Sequence, residues 1–329
     1  MTRPIQQHFV TRAYLEGFAD ANGQLHVYER GREGPFSLTP AKAARQRNYY
    51  SFKNKDGKFD DQIERFLDEQ VESPAMAVIR KLVKNEEQLP WNERVALARW
   101  IAFQEFRTPL QRGGIEQTAQ KLIETTMQML AVVPGAIEEA LEKLKEQGKE
   151  YGVTAEDVRK GIEADAFRIR INPMLSLETM TVAEEVVPIL AEMKWTLVTA
   201  ANGVQFVTSD HPVLRHDPDE HNPYRYGLAS DTIELGLPLN AKNYLVITHD
   251  RQRQKQWLEL KGAGKDEEAR ALRSSTPVMA VHGLSAENTL KLRDGIIRSA
   301  PRFIYCPDED PKYVEVLAKE PWTLRWQVG

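Results

Sequence analysis

Four residues of this 329-residue chain set ionisable or cationic groups in apolar surroundings: His8, Glu64, Arg107 and Asp210. Glu64 precedes Leu67 and Val71 by three and seven positions, which puts its carboxylate on the inward face of a helix. Arg107 follows Trp100 and Phe103 on another such face, with Gln104 one turn before it. An unpaired buried charge is costly, so the two phases predict a direct, buried Glu64–Arg107 contact. His8 stands immediately before Phe9 and Val10, with Arg12 and Tyr14 close behind. In FVTSDHPV (206–213) an apolar run ends in Ser209 and Asp210, and Pro212 keeps His211 out of helical conformation.

Together these groups suit cleavage of a phosphodiester or phosphate ester in RNA, DNA or a nucleotide. His8 and Glu64 would share the acid and base roles, and Arg107 and Arg12 would offset charge in the transition state. Asp210 would orient His8, or hold a divalent ion such as Mg or Mn together with Glu64. Arg12, Tyr14, Gln104 and Ser209 would contact the substrate. A microbial toxin or phage-defence effector is the setting this chemistry suggests. The rival from another class is a non-catalytic binding module for a nucleotide or other anionic ligand. Each residue also has a plainer use. Glu64 and Arg107 can simply fix helix register, His8 can be a core histidine, and Asp210 can pin a turn by accepting backbone N–H groups.

The composition, 41% apolar and 28% charged, is that of a globular protein. A net charge of −4 argues against coating nucleic acid or membrane by bulk electrostatics. Residues 1–60 nevertheless hold ten Lys or Arg against six Asp or Glu, enough to steer an anionic substrate locally. Cys306 is the lone cysteine, so no intrachain disulfide forms, and its setting in RFIYC reads as a buried strand thiol. No apolar run reaches the ~20 residues of a membrane span, and MTRPIQQHF lacks the apolar stretch of a signal peptide, so a cytoplasmic protein is expected. P-loop, G-x-G-x-x-G, H-E-x-x-H and G-x-S-x-G motifs are absent. The run RHDPDEH (215–221) reads as a solvated loop rather than a set of metal ligands.

The elements that position these groups follow from periodicity. A short helix is expected over 6–20, a strand over 24–30 and a β-like run at NYYSF (48–52), with a D-G turn at 56–57. Helices are expected over 60–83, 90–112, 114–130, 136–150, 154–165 and 175–193, the last kinked near Pro188. From 194 the period changes. An antiparallel hairpin is expected over 194–210 with Asn202 and Gly203 at its turn, and a second pair at 233–239 and 243–250. Helices near 266–273 and 279–299 precede a strand at 302–306. The expected fold is α+β, a helical amino-terminal half on a mainly antiparallel sheet with carboxy-terminal helices. Its regions would be 1–193 and 194–329, joined as one domain if the strand at 24–30 enters the later sheet.

The order HFVTRAYLEGFAD, GQLHVYER, NYYSF, QEFRTPLQR, FVTSDHPV and LPLN resembles domain of unknown function family 4238, a microbial group, over nearly the whole chain. The resemblance implies a shared site at His8, Tyr14, Glu64, Gln104, Arg107, Ser209 and Asp210, and names no activity. Thr11 stands where that family has proline and Asn240 where serine is common, so neither is assigned chemistry.

Overall fold

The computed structural model describes residues 6–53, 59–60, 62–84, 89–149, 151–164, 166, 178–217, 227–228, 230–274 and 279–319. The turn expected at 56–57 and the stretch 218–221 lie outside them. Contacts divide the chain into two units, residues 1–110 with 179–329, and residues 111–178. The sequence boundary at 193/194 does not coincide with this division, because strands from both sides of it pair in one sheet.

The strands are β1 (Gln6–His8), β2 (Leu25–Glu29), β3 (Phe36–Leu38), β4 (Arg45–Arg47), β5 (Phe52–Lys53), β6 (Phe59–Asp60), β7 (Lys194–Thr199), β8 (Thr208–Ser209), β9 (Leu214–His216), β10 (Glu234–Pro238), β11 (Asn243–Thr248), β12 (Ala280–Gly283) and β13 (Phe303–Cys306). The helices are α1 (Arg12–Leu15), α2 (Gln62–Phe66), α3 (Ser73–Leu82), α4 (Trp91–Phe106), α5 (Pro109–Val132), α6 (Ala136–Glu146), α7 (Ala155–Glu163), α8 (Val182–Glu192), α9 (Arg251–Gly262), α10 (Asp266–Ser274), α11 (Ala286–Ser299) and α12 (Lys312–Ala318). The protein is therefore α+β.

In the larger unit, one sheet runs β3-β2-β13-β8 and is antiparallel throughout, so the strand near 24–30 does join the later sheet. A second runs β12-β7-β11-β10-β9, antiparallel except for the β12–β7 edge. Ile296 and Ile297 of α11 and Tyr313 and Val316 of α12 pack with Tyr28, Phe206, Tyr244 and Ile304 in one apolar core, which also encloses Cys306. Arg94 of α4 caps α8 by donating to the carbonyls of Ala191 and Met193, its guanidinium lying over Trp195. In the smaller unit Thr154 and Asp157 form the capping box expected for α7, and Arg159 bonds Glu138 of α6 at 2.7 Å. Little is buried there: Leu122, Met129 and Val132 are each more than 60% exposed.

Four expectations are corrected. Residues 6–8 are strand, because β1 pairs with β4, and the helix begins only at Arg12. Residues 48–50 form a turn, entered through the left-handed Asn48 (φ 54°). The turn at 202–203 exists, with Gly203 at φ 80°, but β7 and β8 do not pair across it. β7 is bonded on both edges by β11 and β12, so the following segment leaves the sheet, with Phe206 N–H donating to Ala241, and β8 joins β13 instead. Residues 280–283 are strand, and helix starts after Ser285, whose side chain accepts from Asn288 N–H.

Between α2 and α3 the chain makes a π turn, Leu67–Glu72. Pro74 supplies the cause. Its ring clashes with the carbonyl four residues back and it donates no N–H, and a widened turn accommodates both defects. Residues five apart align in such a turn, which brings Glu72 beneath Leu67.

Candidate functional site

His8 on β1, Arg12 on α1 and Glu64 on α2 line one cavity of about 290 Å³, together with Tyr50, Asp68 and Glu72. His8 is half-buried, and its Nε2 lies away from solvent without a hydrogen-bond partner. Burial lowers its pKa below the usual histidine value, while Glu72 pulls the other way, so the imidazole is uncharged at neutral pH. Arg12 is exposed and paired with Glu16 at 3.1 Å, a surface contact that leaves it free to turn toward a ligand.

Glu64 is held from behind. Gln7 is fully buried, and its amide nitrogen donates to Glu64 Oε2 at 2.7 Å and to Ser51 Oγ at 2.8 Å. Its carbonyl oxygen accepts Tyr50 N–H at 2.7 Å. One side chain thus ties β1, the 48–51 turn and α2 behind the cavity.

The expected Glu64–Arg107 contact is replaced by another. Arg107 is fully buried and pairs with Glu72 at 2.5 Å. The π turn is the reason, since it carries Glu72 rather than Glu64 to the guanidinium. Arg107 also donates to Thr11 Oγ1 at 2.6 Å and to Gln104 Oε1 at 2.5 Å, and Tyr49 donates to its carbonyl. Burial pulls its pKa down, but Glu72 together with Tyr50 and Tyr49 more than offsets that, and the group stays charged. These protein acceptors take the place of the transition-state charge it was expected to meet. Gln104 is used in the same way, its amide donating to Phe9 carbonyl at 2.8 Å.

Tyr14, Ser209 and Asp210 do not line the cavity. The Tyr14 hydroxyl bonds Thr208 Oγ1 and the carbonyl of Pro238, with its ring against Trp100. Ser209 Oγ donates to the carbonyl of His211 and accepts its N–H, a closed local turn. Asp210 Oδ1 accepts N–H of Phe303 at 3.1 Å and of Arg302 at 3.3 Å, so the carboxylate pins the β8–β13 junction. Burial pushes its pKa up to about 6. The bonds present are those of the pinned turn, and none orients His8.

Sequence reasoning passed over Gln7, Asp68 and Glu72. Asp68 is one helical turn beyond Glu64 and was accessible to an i,i+4 argument. Glu72 required reading Pro74 as the cause of a π turn. Thr11 and Asn240, set aside as departures, both have structural uses. Thr11 Oγ1 also accepts Trp100 Nε1–H at 2.9 Å, and Asn240 Oδ1 accepts N–H of Lys242 and Asn243 in the β10–β11 turn. Among the described residues no three His, Cys, Asp or Glu side chains converge on a point that would hold an ion. The Mg or Mn considered from the sequence therefore has no matching ligand set there, and Glu64 and Asp210 do not form one.

The fold and cavity define an α+β protein with a polar pocket built on its first strand. A family profile described as "Protein of unknown function (DUF4238)" matches residues 6–307, and the chain belongs to that family. No curated protein and no solved structure matches it. No helix among the described residues is long and apolar enough to cross a membrane.

Proposed function

We propose that the chain is a hydrolase of the nuclease or phosphodiesterase type, with the His8 cavity as its active site. The supporting observation is convergence: His8, Arg12 and Glu64, from three separate elements, line one cavity. Neutral His8, with its unbonded Nε2, takes or returns the proton of the attacking water, and Glu64, fixed by Gln7, carries the complementary transfer. Arg12 meets the phosphoryl oxygens. A cytoplasmic toxin or phage-defence effector is the setting we attach to this reading.

A second reading, a non-catalytic binding module for a nucleotide or other anion, is favoured by one fact. Arg107 and Asp210, which the enzyme reading first enlisted, are engaged by the protein itself. The test is turnover of RNA, DNA and nucleotides, with and without Mg²⁺ or Mn²⁺, by the native chain and by His8→Asn and Glu64→Gln. Activity lost about 100-fold or more in both variants, with unchanged melting, is the expected result. Saturable binding without turnover selects the second reading. Neither turnover nor binding overturns both. Expression in a microbial host, scored for growth arrest that His8→Asn relieves, tests the setting.

A further inference from the structure

Buried tyrosine hydroxyls ordinarily find a hydrogen-bond partner, as those of Tyr14, Tyr28, Tyr49 and Tyr313 do here. Tyr244 on β11 is an exception. It is 4% exposed, and among the described residues its hydroxyl bonds to no protein group. Burial, and then Glu234, raise the phenol's pKa, so it stays protonated and can donate.

The sheet makes room for that hydroxyl. Tyr244 stands directly opposite Pro238, and Gly236 is its diagonal neighbour on the same sheet face. A Cβ at Gly236 would fall on the hydroxyl oxygen, so the end of the ring occupies space that any other residue would fill. Phe206 packs against the ring at 5.4 Å between centroids.

Tyr244 and Gly236 line a cavity of about 540 Å³ between β9–β11 and α11, which shares no lining residue with the His8 cavity. Leu214 and Val246 flank Gly236 in register and, with Leu292 of α11, give the hydroxyl apolar surroundings. The charged groups of the lining are already answered by the chain or by water. Arg215 pairs with Glu105, Lys291 with Glu287 at 2.7 Å and Asp294 with Arg293 at 3.6 Å, and Arg298 is engaged within the chain as well. Glu234 and His216 are exposed. The buried group left over is the Tyr244 hydroxyl.

We propose that this cavity binds an uncharged, largely apolar small molecule through one acceptor oxygen, such as that of a ketone, which takes the Tyr244 hydroxyl proton while the body lies over Leu214 and Val246. The volume suits a small molecule, and an apolar lining with few polar groups is the usual composition of such sites. A lone donor calls for an acceptor on the ligand. A charged ligand would have to break an existing pair or lie desolvated without one, and either is costly.

Calorimetric titration of the full chain with benzophenone, and with diphenylmethane, which carries a methylene in place of the carbonyl, tests this. Benzophenone should bind saturably at one site. Tyr244→Phe should melt with the native chain, since no protein hydrogen bond is removed, and should weaken benzophenone about fivefold without weakening diphenylmethane. Derivatives of benzophenone with a carboxylate or an aminomethyl group at the para position should bind no more tightly than the parent. Irradiated benzophenone inserts into nearby C–H bonds, and its adduct should map to Leu214, Val246 or Leu292. No saturable benzophenone binding overturns the proposal, as does an equal loss of both ligands in Tyr244→Phe, tighter binding of either charged derivative, or an adduct wholly outside the lining. A lower melting temperature in Tyr244→Phe would show that the hydroxyl already has a protein partner, and would overturn it too.

Discussion

Two polar groups grow from the same few residues of β1 and α1, and they are built on opposite plans. Around Arg107 the guanidinium is fully buried and surrounded by acceptors from Glu72, Thr11 and Gln104, each itself anchored in the fold. Around His8 the cavity wall keeps an unbonded Nε2, an exposed Arg12 and a carboxylate that Gln7 holds from behind. Both look alike in sequence, as polar residues among apolar ones. Their difference is satisfaction. A buried polar group whose bonds are all made holds structure, and one with bonds left over is available to a ligand.

The contrast predicts its largest effect at Arg107. Arg107→Ala should destabilise folding by ~3–5 kcal/mol, because Glu72 is left facing an uncompensated site and Thr11 and Gln104 lose their donor. Urea unfolding of the native chain and the variant measures it. A loss below ~1 kcal/mol would mean that the Arg107 group carries no structural weight, and the contrast would fail.

A sharper test lies in the 209–211 turn, where two buried groups titrate in opposite senses. Asp210 has a folded pKa near 6 against an ordinary 3.8, so folding tightens its proton. Its contribution to stability is therefore full below about 4 and lost as pH rises through 6. His211, bonded through Nδ1 to Thr108 Oγ1, is lowered by burial to about 4 from 6.5. Its contribution is present above 6.5 and lost as pH falls toward 4. Each shift corresponds to roughly 3 kcal/mol, and between about pH 4 and 6 the two largely cancel. Asp210→Asn still offers an amide oxygen to the backbone N–H groups of Arg302 and Phe303, so its stability at pH 7 should equal or exceed the native one. Between pH 6.5 and 4 the variant should then lose about 3 kcal/mol relative to the native chain. Melting curves across that range decide it, and parallel curves would show that Asp210 does not titrate as a buried acid.

The sequence carried the elements better than their connections. The helices at 136–150 and 154–165, the β10–β11 hairpin and the late strand at 302–306 were legible because period, capping and turn residues act locally. What was not legible depends on partners far along the chain. The pairing of β7 with β11 and β12 rather than β8 is one case, and β1 with β4 is another. At the site, polarity in an apolar phase located His8 and Glu64 but equally selected Gln104, Arg107 and Asp210, because inward direction does not tell who waits inside. Glu72 escaped for a different reason: a π turn shifts the helical phase on which the argument rested, and Pro74 was its only sign.

The smallest effect is expected at His8, and it tests the open half of the contrast. Asn places a polar atom near the position of Nδ1, close to the carbonyls of Pro40 and Ala41 that tend to raise the pKa of His8. It has nothing at the position of Nε2. If Nε2 serves only a ligand, His8→Asn removes no bond that the folded chain makes, and stability should stay within about 0.5 kcal/mol of native. Removing a buried polar atom that lacks a partner can even offset the volume lost. His8→Gln, which keeps a polar atom near Nε2 but not Nδ1, should be the less stable of the two. Urea unfolding of both variants measures this without any assay of function. If His8→Asn cost 2 kcal/mol or more, Nε2 would be holding the fold as Arg107 does, and the cavity on β1 would be one more part of the core.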